Sequence, residues 1–564
     1  MTYVHRNIPD SAGYNAFQAD PDFADLLRLY VSPDLYARVA PQFDRMGVLA
    51  GGLLEQLALE ADRNPPEFHV RARNGADREW ITKHPAYVEM ERIAFSDFGL
   101  AAMSHRPGVF GHPEKLPAIV KYGLVYLFVQ AEFGLCCPLS MTDSLTRTLV
   151  RFGDPDLVRQ HFDALTTQDF DALAQGAMFM TEQVAGSDVG ATETVARQEG
   201  GGWRLYGDKW FCSNPDAALA MVLARPEGAE GGTRGLSLFL LPRMLPDGSR
   251  NAYRILRLKE KLGTRSMASG EIQLDGAFAW LVGDPGQGFR QMTDMINNSR
   301  LANGVRSAGM MRRAVHEARF VAENRTAFGR RLIDLPLMQR QIAKMTVTAE
   351  QARSFVFQTA DVLDRADRGD EAARRVLRIL TPLVKFRACR DARKVAGDAM
   401  EVRGGCGYIE EWSDARVLRD AHLGSIWEGT SNIVALDVAR ATRREGALDA
   451  LQDHLAGLLG EVDDAEGDRS ALDRALDRAT GLMRAVAADP AAEVEVRRAA
   501  SGLYNAASAV FLAWEDARLA RASNTRGGRR LRLARLVLAH KLLPRDPLGA
   551  AEPDAMAAEL SAAG

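Results

Sequence analysis

Several features that define large protein classes are missing from this 564-residue chain. Its five cysteines, Cys136, Cys137, Cys212, Cys389 and Cys406, form no CxxC pair and no metal-ligand spacing. That points away from a zinc site or a disulfide framework and toward reduced thiols in a cytoplasmic protein. No stretch of ~18 apolar residues is present, and the opening segment, Met1 to Phe17, has no apolar core of signal-peptide length. One-sided charge is lacking too. With 71 Lys and Arg against 74 Asp and Glu the net charge is −3, so only a local patch could attract a nucleic acid or a membrane. The ten histidines are scattered, and no HExxH, P-loop or GxGxxG occurs. The usual motifs of zinc hydrolysis and of nucleotide and dinucleotide binding are therefore absent.

What is present is a folded composition, 46% hydrophobic and 26% charged, long enough for about three or four domains. Apolar residues at helical spacing dominate residues 1–175. Short β-like runs separated by glycine-rich turns fill 176–289, and long helical patterns return over 290–446. A last helical block, 447–564, begins acidic and ends basic. Between Ala517 and Arg545 it holds nine Arg or Lys and no Asp or Glu.

The most informative segment is Ser425 to Val434. Glu428 sits between Trp427 and Gly429, directly before Thr430-Ser431-Asn432. A glycine neighbour lets a ligand approach the backbone, although a Glu before a helix start is also favoured by the helix dipole alone. Met180-Thr181-Glu182 through Gly186-Ser187-Asp188 ends a β run in groups able to hydrogen-bond a flat ring or a phosphate; an ordinary strand-to-turn connection reads the same way. Trp210-Phe211-Cys212-Ser213 offers rings for stacking, or simply core. Arg325 to Gly329 and Gly404-Gly405 lie at helix breaks, suited to a diphosphate or to helix capping. The basic C-terminal block could neutralise phosphates, or pair with the acidic stretch Glu461–Asp473.

Taken together, these segments resemble the acyl-CoA dehydrogenase family. The matching motifs are M-T-E-x-x-x-G-S-D at 180–188, G-x-K-W at 207–210 and K-L-G-x-R-S at 261–266, then R-x-x-F-G at 325–329, G-G-x-G-Y at 404–408 and x-E-G-T-S at 427–431. The resemblance implies an α+β fold with an N-terminal helical domain, a barrel-like β domain and a four-helix bundle. It also implies FAD, an acyl-CoA substrate, a homotetramer and an electron-transfer flavoprotein as acceptor.

By the same resemblance, Met180, Thr181, Gly186, Ser187, Phe211, Cys212 and Ser213 should meet the flavin. Trp427, Thr430 and Asn432 should hold the cofactor beside the base. Arg325 and Phe328 should reach its pyrophosphate and adenine across a subunit interface, near Gly404 and Gly405. Glu428 matches the catalytic base. The residue before Arg300, where some members place the base instead, is Ser299. Ser187, Arg300, Trp427 and Gly429 should face substrate.

Three departures stand out: Gln183-Val184 for the usual Pro-Gly, Pro336 for a Gln, and the bulk of Trp427, which should narrow the acyl site to short or branched chains. The chain also runs over a hundred residues past the ordinary family end, like one branch with a fourth helical domain. That branch implies weak isovaleryl-CoA dehydrogenase-like activity and non-specific double-stranded DNA binding linked to protection from alkylation. The DNA would be held by Arg440, Arg526, Arg529 and Arg530. The alternative is an ordinary short- or branched-chain dehydrogenase with no DNA role.

Overall fold

The computed structural model describes residues 7–464, 467–523, 528–544 and 548. The chain divides into two compact units. One comprises residues 1–53, 117–131 and 300–564; the other comprises 54–116 and 132–299.

The second unit is built on a seven-stranded sheet. After the hairpin β1 (Glu67–Arg71) and β2 (Asp77–Thr82) come β3 (Gly176–Phe179), β4 (Val195–Glu199), β5 (Gly202–Ser213) and β6 (Leu219–Pro226). β7 (Ser237–Pro242), β8 (Tyr253–Leu258) and β9 (Ser269–Val282) complete it. The order is β3-β6-β4-β5-β9-β7 with β8 on β9, and β7 pairs back onto β6, closing five strands on themselves. Phe179, Leu205, Val222, Phe239, Leu241 and Ile272 fill the interior. Burying each such side chain contributes about 1.5–3 kcal/mol.

β5 carries a register shift between Lys209 and Cys212 where it pairs with β9. That irregularity interrupts the strand's alternation and gives Phe211 a left-handed φ of +53°. The β1–β2 hairpin departs from the all-helical expectation for residues 1–175. Its turn is set by Asn74-Gly75, with Ala76 N donating to Asn74 Oδ1 at 3.1 Å and Gly75 at φ +84°.

The first unit is helical. Its main elements are Pro33–Gly51, Ala118–Phe128, Pro336–Asp367, Glu371–Arg403, Ser413–Leu423 and Ser431–Glu445, with the part of Gly288–Asn324 from Arg300 onward. The C-terminal block adds Ala447–Leu459, Asp468–Ala488, Val496–Ser523 and Arg529–Val537. Local signals start several of these helices. Ser32 Oγ accepts from Leu35 N at 3.3 Å ahead of Pro33, and Asp370 Oδ1 accepts from Ala373 N at 2.9 Å. The long helices bury nearly continuous apolar faces, including Phe355, Val356 and Phe357 on one and Ile379, Leu380 and Leu383 on another.

Candidate active site

In the sheet unit, the Met180–Asp188 loop leaves β3 and is tied to β5, because Trp210 N donates to Thr181 O at 2.7 Å. A buried ion pair fixes the root of the loop. Lys209 Nζ lies 2.6 Å from Glu182 Oε1, which also accepts from Thr194 Oγ1 at 2.6 Å. Burial works against the charge of Glu182, but the Lys209 ammonium and these hydrogen bonds hold its carboxyl below the usual range.

Met180 and Thr181 are half-buried, whereas Gly186 and Ser187 are exposed at the tip of the loop. Phe211 is 61% exposed and meets Trp210 edge-on at 6.1 Å, with Lys259 Nζ 3.2 Å from the centre of the Trp210 ring. Cys212 instead belongs to the sheet core, and burial pushes its thiol well up. Its side chain therefore cannot meet a cofactor as expected. Phe211 and the half-buried Ser213 are what this run presents.

In the helical unit, Glu428 lies on the turn between Ser413–Leu423 and Ser431–Glu445. Its φ is +47° and that of Gly429 is +100°. A Cβ on Gly429 would stand 3.1 Å from Val434 and 3.5 Å from Arg300, so glycine is required there on both space and conformation. Three donors from two helices hold the turn. Arg300 Nε donates to Glu428 O at 3.1 Å, Lys385 Nζ to Gly429 O, and Asn303 Nδ2 to Glu428 Oε2.

Arg300, expected to face substrate, is buried behind the turn, with Nη1 2.7 Å from Asp437, which Arg378 also binds at 2.7 Å. It supports the turn instead. Burial lowers Lys385 to about 8. Trp427 lies beneath the Arg306 guanidinium at 5.1 Å. Thr430 caps the following helix by backbone only, and Asn432 Oδ1 accepts from Arg497 Nη1 at 3.4 Å. Neither Asn303 nor Lys385 stood out in the sequence. The signal for Asn303 is its place one helical turn after Arg300, which puts both on one face.

Arg325 Nη1 donates to Arg403 O at 3.0 Å and lies beside Gly404 of the same chain. Phe328 is 94% exposed, and Tyr408 and Leu337 are exposed nearly as fully.

The arginines expected to hold DNA separate sharply. Arg530 is 1% exposed, with Nε on Glu515 at 2.7 Å, Nη1 on Glu350 at 3.0 Å and Nη2 on Ser354 at 2.6 Å. Arg529 binds Asp22 and Glu350. Both guanidiniums are occupied by carboxylates, so the expectation that they meet phosphate does not hold. Arg518 and Arg521 pair with Glu461 and Arg535 with Asp468, the internal pairing that was the other reading of this block. Arg440 is exposed, and Arg526 lies outside the described residues.

The residues fit a flavin. The exposed Phe211 ring, with Lys259 Nζ 5.0 Å from its centre, offers a stacking face, a hydroxyl-bearing loop is hydrogen-bonded to the same strand, and Gly186 has open space where a side chain would be. No group of acidic, His and Cys residues able to hold a metal occurs among the described residues. Nor is any of their helices long and apolar enough to cross a membrane.

Three family models match the chain. Residues 7–172 match the adaptive response protein AidB N-terminal domain, 177–277 the acyl-CoA dehydrogenase middle domain and 286–442 the acyl-CoA dehydrogenase C-terminal domain. The chain belongs to the acyl-CoA dehydrogenase family and is an FAD-dependent oxidoreductase of that family. Within it, the chain is 34% identical to AidB of Escherichia coli (strain K12) over 459 residues, 78% of this chain and 80% of that protein. It is 31% identical to acyl-CoA dehydrogenase family member 11 of Caenorhabditis elegans over 500 residues, 86% of this chain and 80% of that protein. The crystal structure of Caenorhabditis elegans ACDH-11 in complex with C11-CoA superposes with a TM-score of 0.87 at 27% identity, covering 97% of this chain and 95% of that one.

Proposed function

We propose that this protein removes the α and β hydrogens of a short or branched acyl-CoA, with Glu428 as the base. The observation that supports this reading is the restraint on Glu428: a left-handed turn, a glycine neighbour and donors on its carbonyl, its carboxylate and the next carbonyl. A carboxylate so fixed is suited to take an α-proton, because general-base catalysis depends on placement within hydrogen-bond reach. Bound FAD supplies the two-electron acceptor for the β-hydride. Thr181, Ser187, Phe211 and Ser213 are the flavin-contacting candidates of the sheet unit, and Trp427, Thr430 and Asn432 those of the helical unit. Ser187 and Gly429 are the substrate-facing groups.

We assign Arg325, Phe328, Gly404 and Gly405 to a cofactor site shared with a second copy in a homotetramer. The exposed Phe328, Leu337 and Tyr408 suit a surface that another subunit covers. Sedimentation of the flavin-loaded protein checks the assembly. A cytoplasmic location and an electron-transfer flavoprotein acceptor complete this reading.

The test is a panel of butyryl-, isovaleryl- and C11-CoA, followed by flavin bleaching and dye reduction. Turnover of the first two supports the proposal. Exclusive use of C11-CoA replaces its chain length, and no reduction by any of them removes it.

A second reading, duplex-DNA binding tied to alkylation protection, is favoured by one observation. Arg440, Arg443 and Arg444 are exposed together at the end of the Ser431–Glu445 helix. If DNA binds there, Arg440→Ala reduces the salt slope of binding by about one phosphate's worth, whatever the duplex sequence.

A further inference from the structure

Asn303 is fully buried, 0% exposed, on the helix face that also carries Arg300 and Arg306. Its Nδ2 donates to Glu428 Oε2, and its Oδ1 is buried with no hydrogen-bond partner. A buried amide oxygen left unpaired is destabilising, so its retention needs a reason. The charged and titratable groups around the pair come from three helices. They are Arg300 on the Glu428 carbonyl, Arg306 over Trp427, Lys385 and Cys389 from Glu371–Arg403, and Asp437 behind Arg300.

We propose that Asn303 is a positioning residue that serves both protonation states of the base, donating from Nδ2 to the Glu428 carboxylate and accepting at Oδ1 from the carboxylic acid. This rests on Glu428 being the base. When the α C–H bond breaks, its proton forms an O–H bond at Glu428, and the C–H electron pair goes into the new carbon–carbon double bond as the β-hydride leaves. Nδ2 cannot accept from that O–H. A half-turn of the amide about its last torsion brings the unpartnered Oδ1 to it, a broad two-fold rotation that needs no backbone movement. Leucine has neither group, and aspartate places a second negative charge against the first.

The test is the pH dependence of flavin reduction by butyryl-CoA in the FAD-loaded protein, for wild type, Asn303→Leu and Asn303→Asp. Melting temperatures are recorded alongside. Because the charge-assisted bond to the carboxylate outweighs the neutral one to the acid, the acid limb should move up by about one pH unit in Asn303→Leu and further in Asn303→Asp, so rates lost at neutral pH return as pH rises. A pH-independent loss, or limbs that coincide with wild type, overturns the proposal. In parallel, the carboxyl C=O band of Glu428 is titrated by infrared difference against Glu428→Gln in each background. The band should persist to higher pH in both variants. That measurement needs no turnover, so a wild type inactive on every acyl-CoA removes the base assignment while the infrared titration still decides Asn303.

Discussion

Two polar clusters in the helical unit use similar residues to opposite ends. Around Arg530, the carboxylates Asp20, Asp22, Glu350 and Glu515 meet the guanidiniums of Arg353, Arg529 and Arg530, with Ser354 and Tyr30 completing the bonds. With Arg312, which also reaches Asp20 and Glu350, four guanidiniums face four carboxylates there, and the cluster ties the Asp20–Asp22 segment, Pro336–Asp367, Val496–Ser523 and Arg529–Val537 together. Around Glu428, donors converge on one carboxylate and its turn, the backbone is strained, and one amide oxygen is left over. A network whose charges are paired one for one serves to fix position. One with strain and a spare acceptor is where a second state can form.

The largest expected effect comes from breaking the second cluster at its centre. Glu428→Gln keeps the size and the turn and removes the base, so flavin reduction by acyl-CoA should fall about 100–10,000-fold while FAD content is unchanged. A variant that reduces flavin at the wild-type rate ends the comparison.

Next is the first cluster. Arg530→Met leaves Glu515 and Glu350 short of a buried partner, and removing one member of such a pair costs roughly 3–5 kcal/mol. The melting temperature should drop by many degrees. Arg440→Ala, on the exposed face of Ser431–Glu445, should leave it within about 0.5 kcal/mol of wild type. Equal stability of the two variants would show that the Arg530 network is dispensable.

The smallest effect sharpens the contrast with a carboxylate that has no guanidinium on it. Asp364 accepts Ala118 N at 2.9 Å with each oxygen, capping Ala118–Phe128, and burial raises its carboxyl to about 6. A raised acid makes the folded state favour the proton, so its charge destabilises above pH 6 and this cost vanishes as pH falls toward the unfolded value. Asp364→Asn should therefore stabilise at pH 8 by roughly 1–3 kcal/mol and lose that gain below about pH 4. A gain independent of pH would assign the effect to packing.

Much of the site was legible because it is local. The turn at Trp427–Gly429, the loop at Met180–Asp188 and the ring at Phe211 are each specified by a few adjacent residues, and the long helices by their periodicity. Their termini lie within a few residues of the pattern, as at Glu371–Arg403, where Asp370 marks the start. β6 shows no alternation because Leu219–Pro226 is nearly all apolar, with small residues, as befits a strand buried on both faces. Cys212 and Arg300 were placed on the wrong side of their elements, since a motif names a residue without fixing which way it faces.

The sequence by itself determined the family, the order of helical and β segments and the glycine-flanked carboxylate turn at Glu428, because each depends on neighbours in the chain. Tertiary structure decided what the charges do. The basic C-terminal run is the plainest case: nine cations without an acid in between look free in one dimension, yet Arg529 and Arg530 face carboxylates of Asp22 and Glu350, 507 and 180 residues away. Burial makes an unpaired charge so costly that folding must bring a partner to it, and only the fold says which.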